Sequence, residues 1–317
     1  MSISDTILKM RIKNYKIHRF FEIKEIKEWW KGDFLGHKSV VSPGDSNDYI
    51  KTVILSQKPF FIGRVGDVET KTLVYQDMIN RGALKQMPSG QSYASKIQAG
   101  MFTNTPEGFQ IMFQRYLEAL KIVTDFGYWQ IDGEKRLVRR WLNPRANLFN
   151  FSGLKSIIYN HPYTGALRGK TVLVVSPFAE TIVKQYQKRT KLFANPETLP
   201  DFLLKVYKPV VTHGGGTCSF PNWETALLGM YSEIRKIDCD LVILSCGSYG
   251  LPLGGLLFKS GKNVLVGGGP VQTFFGIKGK AYEKDPEISP LINEWWVRPS
   301  SREIPPSPEK VEGGVYW

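Results

Sequence analysis

Cysteine is scarce in this chain of 317 residues, with only Cys218, Cys239 and Cys246 present. An odd count without any CxxC spacing argues against a disulfide framework and suits a reducing compartment, so an intracellular, cytoplasmic protein is expected. Long apolar runs are missing too. Nothing approaches the ~18 residues of a membrane-spanning helix, and the opening MSISDTILKMRIKNYK lacks the apolar core of a signal peptide. Acid is in deficit: 29 Asp and Glu face 42 Lys and Arg, for a net charge of +13. Such a chain favours anionic partners, whether nucleic acid, an anionic membrane surface or phosphorylated small molecules. Several signatures are also absent. There is no complete GxGxxG or Walker A motif for NAD-type or ATP-hydrolysing chemistry, and no GxSxG elbow to accompany the HGGG at 213–216. No helix-turn-helix, zinc-finger, RRM or KH pattern occurs, so nucleic acid is not expected as a partner.

The 30 Gly and 19 Pro are spread along the chain without repeats, and apolar content is near the globular average, which excludes wholesale disorder and fibrous architectures. Positive charge concentrates at the start. Lys9, Arg11, Lys13, Lys16, Arg19, Lys24, Lys27, Lys31 and Lys38 are interleaved with Phe20, Phe21, Trp29 and Trp30. This reads as a basic, aromatic, helical arm over residues 1–48. Residues 1–38 suit peripheral contact with an anionic membrane; alternatively, the arm is an amphipathic helix docked through its aromatics, with its lysines solvated. An α/β body over 49–298 and a Pro-rich tail over 299–317 follow, with Tyr316 and Trp317 expected to dock on the body.

Within the body, a helix ending in ILSQ leads to the short strand in PFFIGRVGD, then helices through TKTLVYQDMINRG and FQIMFQRYLEALKIVTDFG. Further on, strands TVLVVSPF, FLLKVYKPVV, DLVILSCGSYG and NVLVGGG alternate with helices AETIVKQYQKRTKLF, NWETALLGMYSEIRKI and LPLGGLLFKSG. Alternation of this kind predicts a Rossmann-like, mostly parallel sheet with helices on both faces. In such sheets ligands bind beyond the carboxyl ends of the strands.

The loops at those ends supply the candidate site. In GRVGDVE, Gly63 and Gly66 permit a tight turn, Arg64 offers a cation, and Asp67 and Glu69 are spaced to meet one hard divalent ion, Mn²⁺ or Mg²⁺. The same carboxylates would equally cap the helix that follows. In SPFAET, Ser176 and Phe178 precede a helix whose amides can hold an anion, and Glu180 stands as a cap or a general base. In CGSYGLP, Gly247 and Gly250 allow close backbone approach, and Tyr249 can stack on a base. Cys246 has no histidine partner by motif and reads as an inert thiol. In GGGPVQTFFGIKGK, Gln272 and Lys278 suit a phosphate or phosphosugar, or belong to a solvated basic loop.

Taken together, RVGDVE, GKTVLVVSPFAETIVKQYQKR, FPNWETALLGM, GSYGLPLGGLLFKSGKNVLVGGGPVQTFFGIKGK and EGGVYW resemble bacterial glycosyltransferases of the GT-D fold, over residues 50 to 317. The resemblance implies a metal-dependent glycosyltransferase with a nucleoside-diphosphate-sugar donor, a UDP-sugar above all, and a glycan, polysaccharide or glycoprotein acceptor. It places the family's metal-binding DxE on Asp67 and Glu69, with Arg64 as the preceding basic position. Val68 stands where better-described members carry glycine. Glu180 is the candidate catalytic base on this reading, while Arg64, Lys278, Gly247 and Tyr249 form the phosphate and nucleotide pocket.

Overall fold

The computed structural model describes residues 38–317. Most of the basic arm therefore lies outside the described residues. Chain order runs β1 (Val40–Val41), α1 (Ser46–Leu55), β2 (Phe61–Gly63), α2 (Asp67–Asn80), α3 (Ser89–Ile97), α4 (Pro106–Leu120), β3 (Asp125–Tyr128), α5 (Glu134–Arg140) and β4 (Asn147–Asn150). It continues with β5 (Thr171–Val175), α6 (Ala179–Tyr186), β6 (Leu203–Tyr207), α7 (Trp223–Ile234), β7 (Leu241–Leu244), α8 (Gly250–Lys259), β8 (Val264–Val266), α9 (Val271–Phe274) and α10 (Lys280–Lys284). Eight strands form one sheet in the order β1-β4-β3-β2-β8-β7-β5-β6, and every adjacent pair is parallel.

Strand periodicity sorts the side chains into two cores. Phe61, Leu173, Val175, Val242, Leu244, Val264 and Val266 face one layer, with α2, α4, α5, α7 and α8. Ile62, Val172, Val174, Leu241, Ile243 and Leu265 face the other, with α1, α6, α9, α10 and the chain end. Because both faces are covered, TVLVV and LVIL are continuous apolar runs rather than alternating ones. β6, at the sheet edge, is partly polar and leaves Leu203 exposed. Crossovers toward β1 run over the first face and those toward β6 over the second, as a single crossover hand requires. Local signals set the helix starts. Thr105 caps α4 by accepting from the Gly108 amide, with Pro106 at the first helical position, and Asn222 forms a reciprocal capping box with Thr225 on α7.

Three expectations shift. The boundary at residue 48 falls inside the body, because β1 pairs with β4 and Lys38 donates to the Ala146 carbonyl at 2.5 Å. Lys38 is thus docked on the protein rather than free for a membrane. The DFG that closes the long helical pattern after NTPEG is β3, since α4 stops at Leu120 and the chain re-enters the sheet. The helix expected over AETIVKQYQKRTKLF ends at Tyr186 and resumes as a short turn at Arg189–Leu192. Among the described residues, no helix is long and apolar enough to cross a membrane.

Candidate functional site

β2 and β8 are neighbours, yet their exits diverge: the chain leaves β2 into α2 on one face and leaves β8 into α9 on the other. In parallel sheets ligands bind where neighbouring exits part, at the carboxyl ends of the strands. Arg64 stands at that point, directly after β2. Gly63 places it there, because a Cβ at Gly63 would sit 2.8 Å from Leu251 and 2.9 Å from Val123, so β2 packs closely at its last residue. The Arg64 guanidinium lies 5.7 Å over the Phe151 ring and fills the space that a side chain at Gly268 would take; a Cβ there would lie 1.7 Å from Nη2. Its Nε is buried without a hydrogen-bond partner.

Gly66 caps α2, so Asp67 and Glu69 are its first and third residues. Residues two apart on a helix do not face each other. Asp67 turns outward, half-exposed, and pairs with Lys71 at 2.7 Å. Glu69 turns inward and is buried, its carboxylate folded back over Gly66. Burial raises the Glu69 pKa; the Arg64 charge and the residue's own amide oppose that rise. As placed, Asp67 is engaged by Lys71 while Glu69 lies over Gly66, and the Asp67 charge adds to the upward shift of Glu69; both are acids of the first helical turn, and neither makes a side-chain capping hydrogen bond. Asp67 alone presents an exposed oxygen suited to a hard cation, whose remaining positions would fall to phosphate and water. Among the described residues, no group of three His, Cys, Asp or Glu is arranged to hold a metal.

Several groups around Arg64 are not evident in the sequence. Its charge acts on Tyr116, Glu134, Cys246, Tyr282 and Tyr316, in each case opposing an upward shift caused first by burial. Cys246 is pushed up to about 12, so it is a neutral thiol. Glu134, fully buried and raised to about 8, accepts from the Trp129 amide at 2.9 Å and the Ile131 amide at 3.3 Å. Tyr116 donates to the Ser248 carbonyl at 2.8 Å. These residues come from α4, α5, the loop after β7, α10 and the tail; a spacing read along the chain could not have joined them.

The other sequence candidates lie elsewhere or are engaged. Tyr249 is buried and stacks on Trp223, with centroids 5.3 Å apart and planes 8° apart, so it presents no face to a base. Gly247 takes φ +56, and the next amide, of Ser248, bonds the Ala99 carbonyl; Gly250 packs against Val266. Ser176 is buried and accepts from the Phe178 amide, while Phe178 belongs to the core. The amides that start α6 are taken by Glu303 from the tail, so no anion site is open there. Glu180 pairs with Arg302 at 3.1 Å and sits after β5, three strands from β2. At ~4.8 Å per strand that is roughly 14 Å of backbone separation from the strand that carries Arg64. Gln272 donates to the Ile277 and Tyr316 carbonyls, and Tyr316 lies against Gly269 and Gly279. The glycine-rich loop thus receives the tail. Lys278, half-buried, bonds Val297 through its amide, and its ammonium has no ion pair among the described residues. A cavity of about 30 Å³, room for one water, opens beside Cys246 and His213. A larger one, about 280 Å³, lies at the opposite, amino end of the sheet between Lys58, Lys170 and Asn263.

Comparison of the chain with protein-family models, with curated proteins and with solved structures finds no match.

Proposed function

We propose that the chain is a metal-dependent glycosyltransferase of the GT-D type. It would move a sugar from a nucleoside-diphosphate sugar, a UDP-sugar above all, to a glycan, polysaccharide or glycoprotein acceptor in the cytoplasm. Residues 1–37, outside the described residues, would provide the peripheral membrane contact. The observation that carries the reading is Arg64: a cation held at the carboxyl end of β2, beside the amino end of α2, with a buried Nε that lacks a partner. An orphaned donor next to a helix N-terminus is arranged for an anion.

Departure of a nucleoside diphosphate develops negative charge on its phosphate oxygens, and groups held in place before reaction stabilise it without reorganising. Arg64 and the first amides of α2 would take that charge, with Lys278 as a second cation. Mn²⁺ or Mg²⁺, when bound, would supply further neutralisation of the diphosphate through Asp67, joined by Glu69 once its side chain swings from over Gly66. The placement of Glu180 does not suit the role of general base, and no other residue is assigned to it.

Thermal melting with UDP-sugars, in the presence and absence of Mn²⁺, tests the reading. A ligand bound only by the folded chain raises the melting temperature. The shift is expected in the wild type, lost in Arg64→Ala and reduced in Asp67→Asn and Glu69→Gln. If no donor moves the wild-type transition, the proposal fails. If the Mn²⁺-dependent shift persists undiminished in both carboxylate variants, Asp67 and Glu69 serve only to start the helix.

A further inference from the structure

Trp129 is the most exposed tryptophan among the described residues, at 42%. It follows directly on β3, at the carboxyl edge of the sheet and one strand from Arg64. One face of the indole stacks on Phe151, with centroids 4.5 Å apart and planes 24° apart. The same Phe151 ring carries Arg64 at 5.7 Å. Guanidinium and indole are therefore joined by a single intervening ring.

The backbone holds the indole outward under strain. Gln130, the next residue, takes φ +64, a left-handed conformation disfavoured for a residue with a side chain. That turn brings the amides of Trp129, Gln130 and Ile131 to the Glu134 carboxyl group, which is buried completely. A strained turn and a desolvated acid are both costly, and they persist only where surrounding structure enforces them. Covering Phe151 would not need either, since a loop residue in a relaxed turn can lie over an aromatic ring. What the arrangement secures is a partly exposed indole, held on the same ring that carries a cation.

We propose that Trp129 is the stacking platform for the nucleobase of the donor. This rests on the reading of Arg64 as a diphosphate site. A nucleoside diphosphate is dianionic or more at one end and carries a flat aromatic ring at the other, and Arg64 with Trp129 offers the matching pair of contacts. Stacking also tolerates any base, because each has a π-face. Glu134 acts through the loop as a positioning residue.

Calorimetric titration of the full chain with UDP, GDP, UDP-glucose and inorganic diphosphate, each with Mn²⁺, separates the parts of the ligand. For whichever nucleotide binds tighter, Trp129→Ala is expected to lose about tenfold or more in affinity, in the range of a base–aromatic stack. Trp129→Phe, which keeps a ring, should stay within about threefold, and inorganic diphosphate should bind all three proteins alike. An unchanged nucleotide affinity in Trp129→Ala overturns the platform while leaving the diphosphate site standing. An equal loss for nucleotide and inorganic diphosphate also overturns it, since the residue would then be structural. A loss seen with UDP-glucose but not with UDP assigns the ring to the sugar and overturns the base. Wild-type protein that binds none of the probes refutes the diphosphate site and the platform together.

Discussion

The Glu303 carboxylate from the tail accepts from the Glu180 amide at 2.7 Å and the Thr181 amide at 3.3 Å, and also bonds the Thr181 hydroxyl. A helix start that looked available to a ligand is closed by the chain itself. Glu303 is buried and acts as a cap supplied from 122 residues away along the chain. Glu303→Ala should therefore lower stability by about 1–2 kcal/mol, the scale of a lost cap, and Glu303→Gln by less, because an amide oxygen still accepts. Urea unfolding of the three proteins checks the order. Equal stability would show that the bond contributes nothing net.

Gly268 owes its place to Arg64. Its φ is +63, and any Cβ would displace the guanidinium. Gly268→Ala is expected to remove anion binding about as fully as Arg64→Ala, while costing about 1–3 kcal/mol of stability from the strained conformation. Diphosphate titration, read beside thermal melting, distinguishes displacement of the arginine from general unfolding. Intact diphosphate binding in the alanine variant would mean that Arg64 has another productive position.

Tyr249 separates packing from polarity. Its hydroxyl is buried beside Thr212, whose own hydroxyl donates to the Gly100 carbonyl, and it has no partner in hydrogen-bonding geometry. Removing a buried, unsatisfied hydroxyl is close to neutral or stabilising, whereas removing the ring empties the space against Trp223. Tyr249→Phe should match or exceed wild-type stability, and Tyr249→Ala should lose about 3–5 kcal/mol. Nucleotide affinity should be the same in wild type and Tyr249→Phe. A marked loss of binding in the phenylalanine variant would return Tyr249 to the nucleotide pocket.

Glu134 gives a pH dependence of definite sign. Burial raises it from 4.5 to about 8, against the opposing amides of Trp129, Gln130 and Ile131 and the charge of Arg64. Between these values the folded chain keeps a proton that the unfolded chain has released. Its contribution to stability is complete below about pH 4.5 and is lost as pH rises through about 8. The difference in unfolding free energy between wild type and Glu134→Gln should thus fall with rising pH across that window and flatten above it. A difference independent of pH would place the Glu134 carboxyl in a better-solvated setting.

Much of the architecture is written locally. The runs around Val172–Val175 and Leu241–Leu244 are apolar and largely β-branched, Ser176-Pro177 ends the first and Ser245-Cys246-Gly247 the second, and the caps at Thr105 and Asn222 start helices within a few residues. β3 and β4 are harder to read: DFGY buries an aspartate and a glycine, NLFN flanks only two buried apolar residues with asparagines, and pairing with β2, with each other and with β1 makes them strands. The candidate site divides in the same way. Arg64, Asp67 and Glu69 stand within six residues of one another and are legible there, whereas Glu134 and Trp129 join them through a strand hidden behind a helical pattern, and Tyr316 through the tail.

The scarcity of cysteine, the deficit of acid and the alternation of strands and helices are properties of the sequence itself, and they determine a basic α/β protein with glycine-bearing loops at the strand ends. Only the tertiary structure decides which of those loops remain open. A carboxylate or a tyrosine is equally able to cap, stack or bind when seen along the chain, and its role is set by what the fold brings against it. Packing turns Asp67 out and Glu69 in and buries Tyr249 under Trp223, while the tail closes α6 and Trp129 is left facing solvent.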